Sequence, residues 1–203
     1  MSYFLCTKEN DGPQYNTRDM HLLDPNFLDG VHRVRHSCLR GGVDILFYCA
    51  LRSPWQQARY YRQGRSKKEI GLAVTDLNSK GWAGLADILL LVGPQYGQKK
   101  ITHARPGESW HQYGLAVDGV PLFEGRCIWD DNITPEIDEW GVYIGAAEGA
   151  GLVSGAEWGD KPHIQTRRPG SDPYPNPLIC LEEDKIISEF EERGWPNPQF
   201  PII

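Results

Sequence analysis

The chain has 203 residues, 40% of them hydrophobic and 24% charged, with a formal net charge of -6. That length suits one domain with a short appendage, and the composition allows a packed core rather than whole-chain disorder. The acidic balance weighs against nucleic acid and against anionic membranes, both of which are bound by surplus Lys and Arg.

The longest apolar runs, 45–51 and 88–92, fall well short of the ~18 residues of a membrane span. The first twelve residues return quickly to charge, so no secretory leader is expected there. Cys6, Cys38, Cys49, Cys127 and Cys180 are odd in number and form no CxxC pair, which fits synthesis in a reducing cytosol. Cys49 sits in an apolar run and reads as a small core residue.

Residues 1–20 read as an irregular polar arm. A helix is expected from Pro25, with Asp24 as N-cap, an apolar face of Phe27, Leu28, Val31, Val34 and Leu39, and Gly41-Gly42 as its stop. Residues 43–51 read as a buried strand, and Ser53-Pro54 opens a second helix running to Gly64. Residues 65–83 read as a loop. Residues 85–92 suit either a short helix or a buried strand, ended by Gly93-Pro94.

Residues 115–120 read as a strand around Asp118. A helix is expected over 135–150, with Thr134 as N-cap and Ile137, Trp140, Ile144 and Ala147 on one face. Residues 163–166 suit one more short strand. Residues 1–168 would form one domain, followed by a Pro-rich linker and a charged helix at 181–193. Helices segregated from short strands indicate the α+β class.

Two segments concentrate the reactive side chains: 109–118, with His111 and Asp118, and 158–163, with Asp160 and His163. His111 and Asp118 are seven apart. On one helix they would be separated by ~10.5 Å along the axis. On one strand they would face opposite sides. A turn at Gly114 would let both approach one ion, and His163 would complete a His/Asp/His set. Zinc suits such donors, and three ligands leave a fourth position for water. An ordinary buried His–Asp polar network suits the same residues. His32 and His36 are spaced i, i+4 but flank Arg33 and Arg35, so they read as a solvated helix face; His103 reads as a loop residue.

The pattern Ser109-x-His111-x-x-Gly114-x-Ala116-x-Asp118, followed by Trp158-x-Asp160-x-Pro162-His163, resembles the VanY-like zinc peptidases. That family includes D-Ala-D-Ala carboxypeptidases and L-alanyl-D-glutamate peptidases, and this chain looks closest to the phage endolysin branch. The lead-in 101–109 and the upstream block with Leu51-Arg52-Ser53-Pro54, Gln57-Ala58 and Tyr61 are similar too, so the resemblance spans about 25–166. It implies a hedgehog/D,D-peptidase-like scaffold, a small antiparallel sheet flanked by helices.

The resemblance further implies one zinc ion held by His111, Asp118 and His163. Asp160 would be general base, where other branches use Glu, and Arg52 would stabilise the oxyanion. Ser109 would support His111, and Gln57 would shape the substrate site. Trp110, Tyr113 and Trp158 suit either core or cleft wall. The implied substrate is the peptidoglycan stem peptide, cut between L-Ala and D-Glu by a monomer held in the host cytoplasm before lysis. A D,D- or L,D-carboxypeptidase and a non-catalytic zinc-holding module are the rival readings. Gly119, after Asp118, departs from the family's usual apolar residue and suggests a loosened strand or a bulge.

Overall fold

The computed structural model describes residues 18–92, 99–129 and 137–166. In chain order its elements are α1 (Pro25–Arg40), β1 (Asp44–Cys49), α2 (Pro54–Arg62), α3 (Lys67–Ser79), α4 (Ala83–Leu91), β2 (Ala116–Phe123), β3 (Arg126–Cys127), α5 (Glu139–Gly149), β4 (Val153–Ser154) and β5 (His163–Gln165). They fall into two compact units, Arg52–Gln112 and a second made of 18–51 and 113–166. The mixture of helices with a small antiparallel sheet is the α+β class expected.

The second unit carries the whole sheet, in strand order β1-β2-β5-β4, with β3 also paired to β2. All pairings are antiparallel. The β2–β3 hairpin turns on Glu124 and Gly125, both at positive φ, as a tight two-residue connection requires. Helix α1 starts where expected: Asp24 accepts from the Asn26 and Phe27 amides, and Pro25 takes the first turn. Its buried face is Phe27, Gly30, Val31, Val34 and Cys38. Leu39, expected on that face, is 52% exposed, because the 3.6-residue period selects Cys38 instead. His32 and His36 are exposed, as a solvated face predicts.

Helix α1 packs on α5 and β1, closing a core of Val34, Cys38, Ile45, Val117, Val120, Tyr143, Ala147 and Ile164. Helix α5 begins at Glu139 with Asp138 as its cap, four residues later than expected. The expected cap Thr134 and first residue Pro135 lie outside the described residues, as do Gly93-Pro94, the arm up to 17, the linker and the C-terminal helix. The buried face of α5 is Trp140, Tyr143, Ala146 and Ala147.

The other unit is helical. Ser53 caps α2 by accepting from the Gln56 amide at 3.1 Å. The stretch 65–83, expected to be a loop, forms the 13-residue helix α3 instead. Its signal is a capping box: Ser66 Oγ accepts from the Glu69 amide, while Glu69 Oε2 accepts from the Ser66 amide at 2.8 Å. Ile70, Ala73 and Leu77 then bury one face. The ambiguous run 85–92 is mostly helix α4, with Leu85, Ile88 and Leu89 buried on i, i+3, i+4 spacing. It packs on α2 and α3, and Arg62 donates to the Leu89 carbonyl at 2.7 Å.

Candidate metal centre and catalytic residues

Gly114 adopts φ +66 at the foot of β2, the turn anticipated between His111 and Asp118. Strand β2 then sends Val117 into the core and leaves Asp118 8% exposed. Asp118 is paired with His163 of β5, and antiparallel partners project from the same face. His163 Nδ1 stands 3.1 Å from Asp118 Oδ1. Two donors bound to one zinc at ~2.0–2.2 Å in tetrahedral geometry would be about 3.3–3.5 Å apart. The pair therefore needs only a few tenths of an ångström to grip a cation.

Gln165 Oε1 lies 2.9 Å from the other ring nitrogen, His163 Nε2. An oxygen there favours a proton on Nε2 and aims the Nδ1 lone pair at Asp118. Backing of this kind orients metal-binding imidazoles generally. Trp158, 39% exposed, meets His163 edge-on with ring centroids 6.0 Å apart. This favours the cleft-wall reading for that residue.

The segment bearing His163 is anchored from beneath. The Pro162 carbonyl accepts from the Gly119 amide at 2.9 Å and from the Tyr143 hydroxyl at 3.0 Å. Tyr143 is wholly buried, so its phenol ionises well above the usual range, through burial first and the charge of Asp118 second. Gly119 is required here. A Cβ on it would lie 2.8 Å from the Tyr143 hydroxyl and 3.0 Å from both Ile45 Cγ2 and Phe47 Cδ1. The register shift anticipated near Gly119 falls on the neighbouring strand, between Phe47 and Cys49. Asp160 is exposed in the turn before β5, where its carbonyl accepts from the His163 amide at 3.1 Å.

In the helical unit, Arg52 is 9% exposed at the entrance to α2. Its guanidinium donates to Gln57 Oε1 at 3.0 Å and lies 5.1 Å from the Tyr60 ring centre. Gln57 is completely buried and donates to the Ala104 carbonyl at 2.7 Å and Thr102 Oγ1 at 3.2 Å. Its amide is thus occupied in fixing Arg52 to the 102–104 loop. The Arg52 amide donates to the His111 carbonyl at 3.1 Å, so the backbones of these two predicted site residues are joined directly.

Ser109, Trp110 and His111 are buried, with His111 1% exposed on a short 3-10 turn. Gln112 Oε1 secures that turn by accepting from the Gly107 amide at 2.8 Å. Tyr113, the last residue of the turn, is 3% exposed.

Residues 102–166 match a family described as D-alanyl-D-alanine carboxypeptidase. The chain is 25% identical over 150 residues to the peptidoglycan L-alanyl-D-glutamate endopeptidase CwlK of Bacillus subtilis (strain 168), covering 70% of this chain and 72% of that one. Residues 102–166 are thus similar to the VanY-like peptidases.

Among solved structures, a mutant vancomycin-resistance D,D-pentapeptidase VanY from a VanB-type cassette, in complex with Zn(II), is 14% identical with a TM-score of 0.41, covering 71% of this chain and 72% of that one. The L-Ala D-Glu endopeptidase ChiX of Serratia marcescens is 18% identical with a TM-score of 0.38, covering 75% and 89%. The family match over 102–166 and the similarity to CwlK mark the chain as an enzyme of the peptidase class.

Three residues around the centre escape sequence reading. Tyr143 reads there as one more helix residue. Gln165 lies two past His163, on the same strand face, a spacing that does offer a signal. Cys49 reads as core and is indeed 7% exposed, yet it is paired across the sheet with Asp118.

Proposed function

We propose that this VanY-like peptidase is a zinc enzyme that cleaves the peptide stem of bacterial peptidoglycan between L-Ala and D-Glu, as phage endolysins do in host lysis. The observation that carries the reading is the Asp118–His163 pair, 3.1 Å apart and backed by Gln165. Similarity to CwlK, whose name states the same bond, supports the substrate.

One zinc ion would be held by His111, Asp118 and His163. The imidazole and carboxylate donors fit that metal. When bound, zinc supplies Lewis acidity toward a carbonyl and toward water.

The other roles belong to side chains of the chain itself. Arg52, fixed by Gln57, stabilises the negative charge that grows on the scissile carbonyl oxygen as water adds to its carbon. Asp160 accepts the proton of that water. It returns the proton to the leaving amine as the C–N bond breaks. Its exposure fits a group that must meet solvent and substrate. Ser109 and the turn through Tyr113 keep His111 in place, and Trp110 adds buried packing beside it. No helix among the described residues is long and apolar enough to cross a membrane. The reading is completed by a monomer stored in the host cytoplasm until the membrane opens.

The description of the matched family favours a second reading, removal of a terminal D-Ala. Mass spectrometry of purified muropeptides after digestion separates the two. Fragments with a new N-terminal D-Glu, absent when a chelator is present, are expected. Release of free D-Ala alone would replace endopeptidase by carboxypeptidase.

A further inference from the structure

We propose that Cys49 is a ligand of the cation, contributing a thiolate beside Asp118 and His163. The inference deepens the zinc reading above and rests on it. Strand β2 is paired at Asp118 with Cys49 of β1 on one side and with His163 of β5 on the other. Cross-strand partners project from the same face, so cysteine, aspartate and histidine form a transverse row over three adjacent strands.

Pairing runs regularly from Asp44↔Leu122 to Phe47↔Gly119 and then skips to Cys49↔Asp118. Without that irregularity Tyr48 would oppose Asp118. The extra residue replaces a bulky phenol by a small thiol at the position facing the carboxylate. Re-aiming one side chain is a recurrent use of such bulges.

Cys49 Sγ and an Asp118 carboxylate oxygen lie within 4.8 Å of each other. Ligands at ~2.3 Å for sulfur and ~2.1 Å for oxygen on a tetrahedral centre are about 3.6 Å apart, so a modest rotamer adjustment brings both onto one ion. Among the described residues Cys49 forms no disulfide. A set of sulfur, nitrogen and oxygen donors selects zinc, cobalt or cadmium over magnesium and calcium. The thiolate would occupy the position that a purely His/Asp/His centre leaves to solvent. It would yield that position when substrate arrives, which makes it a resting-state ligand.

The test is Co(II) titration of the full chain, read by absorption, with zinc affinity measured by competition against a chelating dye. Wild type should show a thiolate-to-cobalt charge-transfer band in the near ultraviolet. Cys49→Ser and Cys49→Ala should lose that band, keep the weaker visible bands, and bind zinc at least ~10-fold more weakly. Cys127→Ser should keep the band, and circular dichroism should show each variant folded.

A Cys49→Ser spectrum and affinity matching wild type would overturn the thiolate ligand while leaving the zinc centre standing. Failure of wild type to bind Co(II) or zinc at all would overturn both. Loss of all metal uptake in Asp118→Asn and His163→Ala, beside partial loss in Cys49→Ser, is the pattern that supports the proposal.

Discussion

Combining Gly119→Ala with Tyr143→Phe tests how the His163 segment is held. The Cβ added at Gly119 would meet the Tyr143 hydroxyl at 2.8 Å, and Ile45 and Phe47 at 3.0 Å. Side chains in a filled core cannot retreat freely, so overpacking of this kind costs about 1–3 kcal/mol. Tyr143→Phe removes one hydrogen bond to the Pro162 carbonyl, but that carbonyl keeps the Gly119 amide at 2.9 Å. No buried acceptor is orphaned, so the loss stays at about 0.5–1.5 kcal/mol.

The double variant has no hydroxyl for the new methyl to strike. Its cost should fall below the sum of the single costs by at least about 0.5 kcal/mol, as expected of residues in contact. Urea unfolding of all four proteins, with unchanged m-values, measures the difference. Strict additivity, within about 0.3 kcal/mol, would refute the contact as the reason for glycine at 119. Full stability of Gly119→Ala alone would refute it more directly.

Ser66→Ala should lower stability by about 1 kcal/mol in thermal or urea melts, because α3 loses its cap. Acid should destabilise the helical unit. Glu69 is held down to about 2 from 4.5 by Lys100 first and then by Ser66, and Asp76 to about 2 from 3.8 by Lys80 and Arg105. Carboxylates depressed on folding contribute fully above their unfolded pKa values and lose that contribution as pH falls through about 4.5 toward 2. Glu69→Gln with Asp76→Asn should flatten the stability profile in that window; an unchanged slope would count against these ion pairs.

Asp160→Ala should retain stoichiometric zinc while muropeptide cleavage falls by ~100-fold or more. Unaltered cleavage would remove Asp160 from the proton-transfer role. Arg52→Ala should lower the cleavage rate by ~100–1000-fold with zinc content intact.

Sequence alone determined the features carried by local rules. Asp24-Pro25 and Ser53-Pro54 announce helix starts because a capping side chain and a proline satisfy the first turn without help from elsewhere. Gly114 announces its turn because its conformation disfavours side chains. The ordered blocks holding Arg52, His111, Asp118, Asp160 and His163 carried the resemblance to VanY-like peptidases by sequence alone. The capping box at Ser66 and Glu69 was equally legible, but the polar composition of 65–83 masked it.

Tertiary structure decided what depends on strand register. The one-residue irregularity in β1 puts Cys49 rather than Tyr48 opposite Asp118, and no local pattern specifies it. Burial likewise made an anchor of Tyr143 and a brace of Gln57, because a buried polar group must find partners and those partners come from distant segments. Only the fold supplies them.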